Sequence, residues 1–110
     1  MTLDDLIAYG ANVSEGLGRC MNNEGFYLRL VETVKNEEGF GKLDEAVRAG
    51  RLKEGFEYAH ALKGVLANLA ITPLLEPVSE ITELLRSETQ TDYTELLDKI
   101  SSEWERFLAL

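Results

Sequence analysis

One segment in the middle of the chain has the periodicity of an amphipathic helix. Between about Leu52 and Ala70, apolar residues recur at three- and four-residue steps, a spacing typical of one face of an α-helix. These apolar positions are Leu52, Phe56, Ala59, Leu62, Leu66 and Leu69. The only histidine, His60, falls roughly 120° from the centre of this face on a helix of 3.6 residues per turn. We therefore predict that His60 points away from the core.

The residues beside His60 on this helix are small, apart from one cation. Ala61, Gly64 and Ala67 share its flank, and Lys63 lies one turn on. A glycine inside a helix costs on the order of 1 kcal/mol relative to alanine, and nothing in the pattern indicates a kink at Gly64. Here the glycine leaves space over the imidazole, and the lysine can offset the charge of an anion. Together these features suit a histidine that carries a phosphoryl group.

The same segment resembles the histidine-containing phosphotransfer (HPt) domain of two-component phosphorelays. The match is the five-residue run that begins at His60, which has the family's pattern H-x-L-K-G, followed by small residues up to Asn68 and Leu69. The resemblance implies a four-helix bundle. It also implies that His60 is phosphorylated and that Lys63 supports the phosphoryl group. The positions implied to clear space or to contact a partner are Gly64, Ala61, Ala67 and Asn68. The residues alone do not decide the role of Asn68, since its amide suits a hydrogen bond to a partner as well as exposure to solvent.

Helical patterns also occur before and after this segment. Asn23 is a candidate N-cap for a helix that stops before Gly39, and residues 40–47 mark a short helix closed by Gly50. Thr72 is a candidate cap for the next helix, with a proline at its first position. The last helix begins at Thr91 or Asp92. Amphipathic helices with short connections predict an all-α, antiparallel up-down four-helix bundle.

The N-terminal segment is predicted to add short helices to this bundle. Thr2 and Asp5 have the spacing of a capping box, and the helix that they begin ends near Gly10. Ser14 is a candidate cap for a second short turn. We expect residues 1–22 to form a helical lid across one end of a bundle that spans about 23–110, the whole being one domain.

The helix that follows the histidine helix is expected to supply polar neighbours. If the turn between the two centres near Ile71 and Thr72, antiparallel packing places His60 level with about position 83. Some HPt proteins orient the imidazole with a polar residue here, often glutamine, and this chain has no glutamine at that place. Thr82 and Arg86 are the candidates for a contact with the imidazole or the phosphate.

The charge balance and the residue inventory exclude several classes of function. With 11 basic and 20 acidic residues, the net charge of −9 disfavours nucleic acids and anionic membranes as partners. With one histidine and one cysteine, Cys20, the chain has too few of the usual ligands for a metal site, and no nucleotide-binding motif is present. The N-terminus has no long apolar run. We expect a cytoplasmic monomer that needs no cofactor of its own.

The resemblance implies a phosphorelay intermediate rather than a kinase. His60 would accept a phosphoryl group from the aspartate of a response-regulator receiver domain and pass it to another receiver. The expected partners are receiver domains or a hybrid sensor histidine kinase, with Mg²⁺ bound to the receiver. One alternative is a helical adaptor that binds signalling proteins without phosphotransfer. The other is a small enzyme with His60 as general base, although no second polar group converges on it.

Overall fold

The computed structural model describes all 110 residues, which form seven α-helices and no strand. In chain order the helices are α1 (Leu3–Tyr9), α2 (Val13–Arg19), α3 (Glu24–Val34), α4 (Gly39–Arg48), α5 (Leu52–Leu69), α6 (Thr72–Arg86) and α7 (Thr94–Leu108). The predicted all-α class is confirmed. The expected helix around His60 is α5, and Ala70 ends it as a left-handed C-cap with φ of 55°.

The last four helices form an antiparallel up-and-down bundle. α4 packs on α5, α5 on α6 and α6 on α7, and α7 closes the ring against α4. Short connections between consecutive helices favour this arrangement, because they leave each helix beside the one before it. The predicted bundle with additional N-terminal helices is therefore confirmed, and α5 packs against α4 and α6 within it and against α2 and α3 at its end.

The core of the bundle is built from one apolar stripe on each helix. The buried residues of α5 and α6 include Ala59, Leu62, Leu66, Leu69, Leu74, Val78, Ile81 and Leu85. Burying one such aliphatic side chain stabilises the fold by about 1.5–3 kcal/mol, so the two stripes together fix how α5 is rotated. The rotation decides which residues of α5 face solvent, and it turns the flank of His60 outward.

The first three helices pack across the end of the bundle where α5 turns into α6. The backbone N–H of Asn12 donates to the carbonyl of Ala70 at 2.9 Å, and the buried hydroxyl of Tyr27 donates to the carbonyl of Leu69 at 2.9 Å. Carbonyls at the C-terminal end of a helix have no partner within it, so these bonds satisfy them. Because α3 packs against α2 and α5, this end of the molecule includes a third helix beyond residues 1–22.

The helix caps of the N-terminal segment agree with the sequence at one of two positions. Thr2 and Asp5 form the predicted capping box, with its two hydrogen bonds at 2.9 and 3.1 Å. Ser14 does not cap α2, so that prediction is wrong. Since α2 begins at Val13, the N-cap position falls to Asn12, whose side chain accepts a backbone N–H of the first turn at 3.2 Å.

The starts of α6 and α7 differ slightly from the predicted ones. Ile71 is the N-cap of α6, so Thr72 and Pro73 lie one position further into the helix than expected. Helix α7 begins at Thr94, two or three residues after the predicted start at Thr91 or Asp92. The carboxylate of Asp92 still contributes, because it accepts the backbone N–H of Thr94 at 2.9 Å. A capping side chain can therefore lie outside the N-cap position itself.

Candidate functional site

His60 lies in the middle of α5 with its side chain exposed to solvent. Its neighbour Ala59 is fully buried, and Leu62 and Leu66 are buried on the same core stripe. Because side chains on a helix are spaced by about 100°, this stripe forces His60 outward. The predicted exposure is confirmed, and a regular helix of 18 residues provides a firm support for the ring.

The imidazole of His60 stacks on the ring of Phe56, one turn earlier on the same helix. The two ring centroids are 5.5 Å apart and the ring planes are inclined by 21°. Phe56 is half-buried, and it also lies under the guanidinium of Arg86, whose Cζ is 4.9 Å from the ring centroid. No hydrogen bond or ion pair within the chain involves the imidazole. Aromatic stacking therefore sets the plane of the ring and leaves its nitrogens open to solvent.

Lys63 is bound to a carboxylate on the neighbouring helix. Its Nζ lies 3.3 Å from Oε1 of Glu83, and the other carboxylate oxygen of Glu83 accepts a bond from Nε of Arg86 at 3.0 Å. The bond from Arg86, followed by that from Lys63, lowers the pKa of the Glu83 carboxyl. On a helix, residues three apart have Cβ atoms about 5–6 Å apart, so Lys63 lies within one side-chain length of His60.

Gly64 faces open space. A Cβ built at this position would have no neighbour within 4 Å. Gly55 on the same helix is different, since its Cβ would lie 2.7 Å from the side chain of Val47, and its lack of a side chain is a packing requirement. Packing within the chain therefore does not explain the glycine at position 64.

The residues around Gly64 have short, uncharged side chains. Ala61 and Asn68 are exposed and Ala67 is half-buried, in line with their expected places on this flank. Val65 adds an exposed apolar side chain, with 41% of its surface accessible. We call the set Ala61, Gly64, Val65, Ala67 and Asn68 the small-residue surface.

The N-terminal lid reaches the edge of the small-residue surface. The guanidinium of Arg19 donates to the backbone carbonyl of Ala67 and also pairs with Glu15. This carbonyl lies in the last turn of α5, where it also accepts the backbone N–H of the C-cap residue Ala70 at 3.2 Å. Arg19 therefore ties α2 to the same flank of α5 that carries His60.

The structure places the two candidates on α6 differently from the prediction. Thr82 is fully buried, and its hydroxyl donates to the carbonyl of Val78 at 2.6 Å, so its predicted contact with the imidazole is wrong. It lies on the edge of the core stripe of α6, which explains its burial. Arg86 is exposed at the expected height but contacts Phe56 and Glu83 rather than the imidazole.

Sequence reasoning missed three residues of the site. Phe56 was assigned to the core, although its spacing four residues before His60 is typical of side chains that meet on a helix. Glu83 stands at the position that antiparallel packing places level with His60, and its charge was the signal for a partner of Lys63. Val65 has no comparable signal, because its exposure depends on how the helix is rotated.

Neither a metal-ion cluster nor a membrane-crossing helix accompanies the surface around His60. No group of three or more histidine, cysteine, aspartate or glutamate side chains is placed to hold a metal ion. A groove of about 340 Å³ lies between α4 and α7, with Phe40 and Trp104 stacked in its wall at 4.2 Å between ring centroids. That groove does not include His60. None of the seven helices combines the length and the apolar character that a membrane crossing requires.

Comparison with known proteins identifies the family. No curated protein and no solved structure gives a match. A family model described as the Hpt domain matches residues 34–110, which include the whole four-helix bundle and the surface around His60. Domains of this family act in histidine phosphotransfer in two-component signalling, as carriers of the phosphoryl group rather than as kinases. Since the match covers well over half of the residues, the chain belongs to the HPt domain family.

Proposed function

We propose that His60 is the phosphoryl acceptor of a phosphorelay intermediate, which receives the group from a receiver aspartate and passes it to a second receiver. The observation that carries this proposal is the exposed imidazole in the middle of α5 beside the open position of Gly64. His60 is also the only histidine in the chain, so a histidine carrier has no other acceptor.

The transfer is an in-line displacement at phosphorus. The lone pair of the imidazole nitrogen that faces solvent, expected to be Nε2, forms the new N–P bond. The P–O bond to the receiver aspartate breaks, and the aspartate leaves as a carboxylate. The second transfer reverses these events with another aspartate. Neither step consumes a nucleotide, and neither requires a cofactor bound to this chain.

The two partners contribute different parts of the chemistry. The receiver is expected to bring the aspartate together with its own Mg²⁺, which neutralises charge on the phosphoryl oxygens. This chain contributes position: α5 holds the ring, Phe56 sets its plane, and the small-residue surface admits the loops of the receiver. Lys63 contributes one positive charge beside the phosphoimidazole.

Incubation with receiver domains tests the proposal. A receiver phosphorylated on its aspartate should transfer phosphate to this protein, and the product should be labile in acid and stable in alkali. A second, unphosphorylated receiver should then remove it. A helical adaptor would bind the receiver without gaining phosphate, and an enzyme with a basic histidine would gain none either. Absence of transfer from a panel of receivers that phosphorylate other HPt proteins would contradict the proposal.

A further inference from the structure

The side chains around His60 form a continuous series of contacts. The imidazole stacks on Phe56, which lies under Arg86; Arg86 bonds to Glu83, and Glu83 bonds to Lys63. Lys63 lies three residues after His60 on the same helix. In the unphosphorylated protein, the cation expected to support the phosphoryl group is thus already occupied by a carboxylate.

The net charge of this cluster of side chains changes sign when His60 is phosphorylated. Lys63 and Arg86 carry two positive charges and Glu83 one negative charge, so the resting cluster has a net charge of about +1. A phosphoryl group adds up to two negative charges and three strong acceptor oxygens. Exposed ion pairs contribute little to stability, so the bond from Lys63 to Glu83 yields readily to a stronger acceptor.

We propose that Glu83 is the resident counter-ion of Lys63, and that the phosphoryl group on His60 displaces it. This inference rests on the proposed function and extends it to a positioning residue on α6. While His60 is free, Glu83 holds Lys63 beside the imidazole. After phosphorylation, the carboxylate competes with the phosphoryl group for Lys63 and repels it. Glu83 therefore weakens the phosphorylated state and favours onward transfer.

The test uses the intact chain loaded with phosphoramidate, which requires no receiver. Nε2 of His60 forms a bond to phosphorus, the P–N bond of phosphoramidate breaks, and ammonia leaves with the imidazole proton as ammonium. Because the chain has one histidine, the ³¹P resonance of phosphohistidine reports on one site. Its titration gives the pKa of the phosphohistidine, which a freed lysine lowers because a nearby positive charge disfavours protonation.

Glu83→Gln should lower the titration midpoint of the phosphohistidine by about 0.2–0.7 pH units, the equivalent of one exposed ion pair. At equilibrium with a receiver, the same variant should retain about 1.4- to 5-fold more phosphate on His60. Glu76→Gln is the matched control, since it removes an equal charge two turns away on the same helix and should leave both values unchanged. Thermal unfolding of each variant separates these effects from a loss of structure.

A double variant decides whether Glu83 acts through Lys63. In a Lys63→Met background, the shift caused by Glu83→Gln should fall to less than half. An unchanged midpoint in Glu83→Gln, or a full shift without Lys63, would overturn the displacement. Because phosphoramidate loads His60 chemically, the titration outcomes hold even if no receiver transfers phosphate, and failure of the relay is recognised separately.

Discussion

Replacing Gly64 by alanine should make the protein more stable and slower in phosphotransfer. The stability change follows from open space: the added methyl group meets no atom within 4 Å, so it causes no strain. The substitution then gains the helix propensity of alanine, about 0.8–1 kcal/mol in the interior of α5. For a domain of about 100 residues, this free energy corresponds to a rise in Tm of about 4–8 °C.

The same open space predicts the effect on transfer. Gly64 lies four residues after His60, so a side chain there emerges about 5–6 Å from the imidazole Cβ, on the surface that a receiver must approach. The methyl group of Gly64→Ala should weaken docking. The longer side chain of Gly64→Gln should almost abolish transfer, although its helix propensity still exceeds that of glycine and the variant stays folded.

Thermal unfolding and the rate of phosphoryl transfer from a receiver measure the two effects separately. Gly41→Ala on α4 is the control: its Cβ also meets nothing within 4 Å, and the position lines the groove between α4 and α7. It should raise stability by up to about 1 kcal/mol and leave transfer unchanged. Full-speed transfer by Gly64→Gln would refute the steric reasoning, because that side chain cannot avoid the surface around His60.

Three further substitutions test other parts of the site and its support. Phe56→Leu keeps an apolar side chain but cannot stack, so transfer should slow by about two- to tenfold, and the His60 ring protons should lose their ring-current shift in NMR spectra; unchanged spectra would exclude stacking. Lys63→Ala should slow transfer roughly tenfold without abolishing it, the loss of one charge-assisted contact of about 1.5 kcal/mol, and rates unchanged from the wild type in both directions of transfer would show that Lys63 is only a surface charge. Tyr27→Phe should cost about 1–2 kcal/mol in chemical denaturation, because the buried carbonyl of Leu69 loses its partner, and should leave transfer unaffected; no loss of stability would show that this bond does not hold α3 against the end of α5.

Much of the fold could be predicted because its signals are local. The three- and four-residue spacing of α5 is enough to place Leu62 and Leu66 inside and His60 outside. Asn23 was recognised as a cap from its residue type, and its side chain accepts the backbone N–H of Phe26 at 3.0 Å. Periodicity and capping depend on neighbours within one turn, so a single sequence contains them.

The contacts between helices were harder to predict, because they depend on rotation about each helix axis. Thr82 and Glu83 are adjacent in sequence, yet one is buried against the core and the other pairs with Lys63. Antiparallel packing of α5 and α6 places both residues near the height of His60 but does not decide which one faces it. Small differences in packing between α5 and α6 decide this, and those depend on the whole core.

The most direct test of the account is to locate the phosphate after transfer from a phosphorylated receiver. Peptide mapping under neutral or alkaline conditions should find one phosphorylated residue, His60. The variant His60→Gln should gain no phosphate while its circular dichroism stays unchanged, since the side chain is exposed and its loss should cost little stability. Normal phosphorylation of His60→Gln, or a phosphate mapped to any other residue, would contradict the central claim.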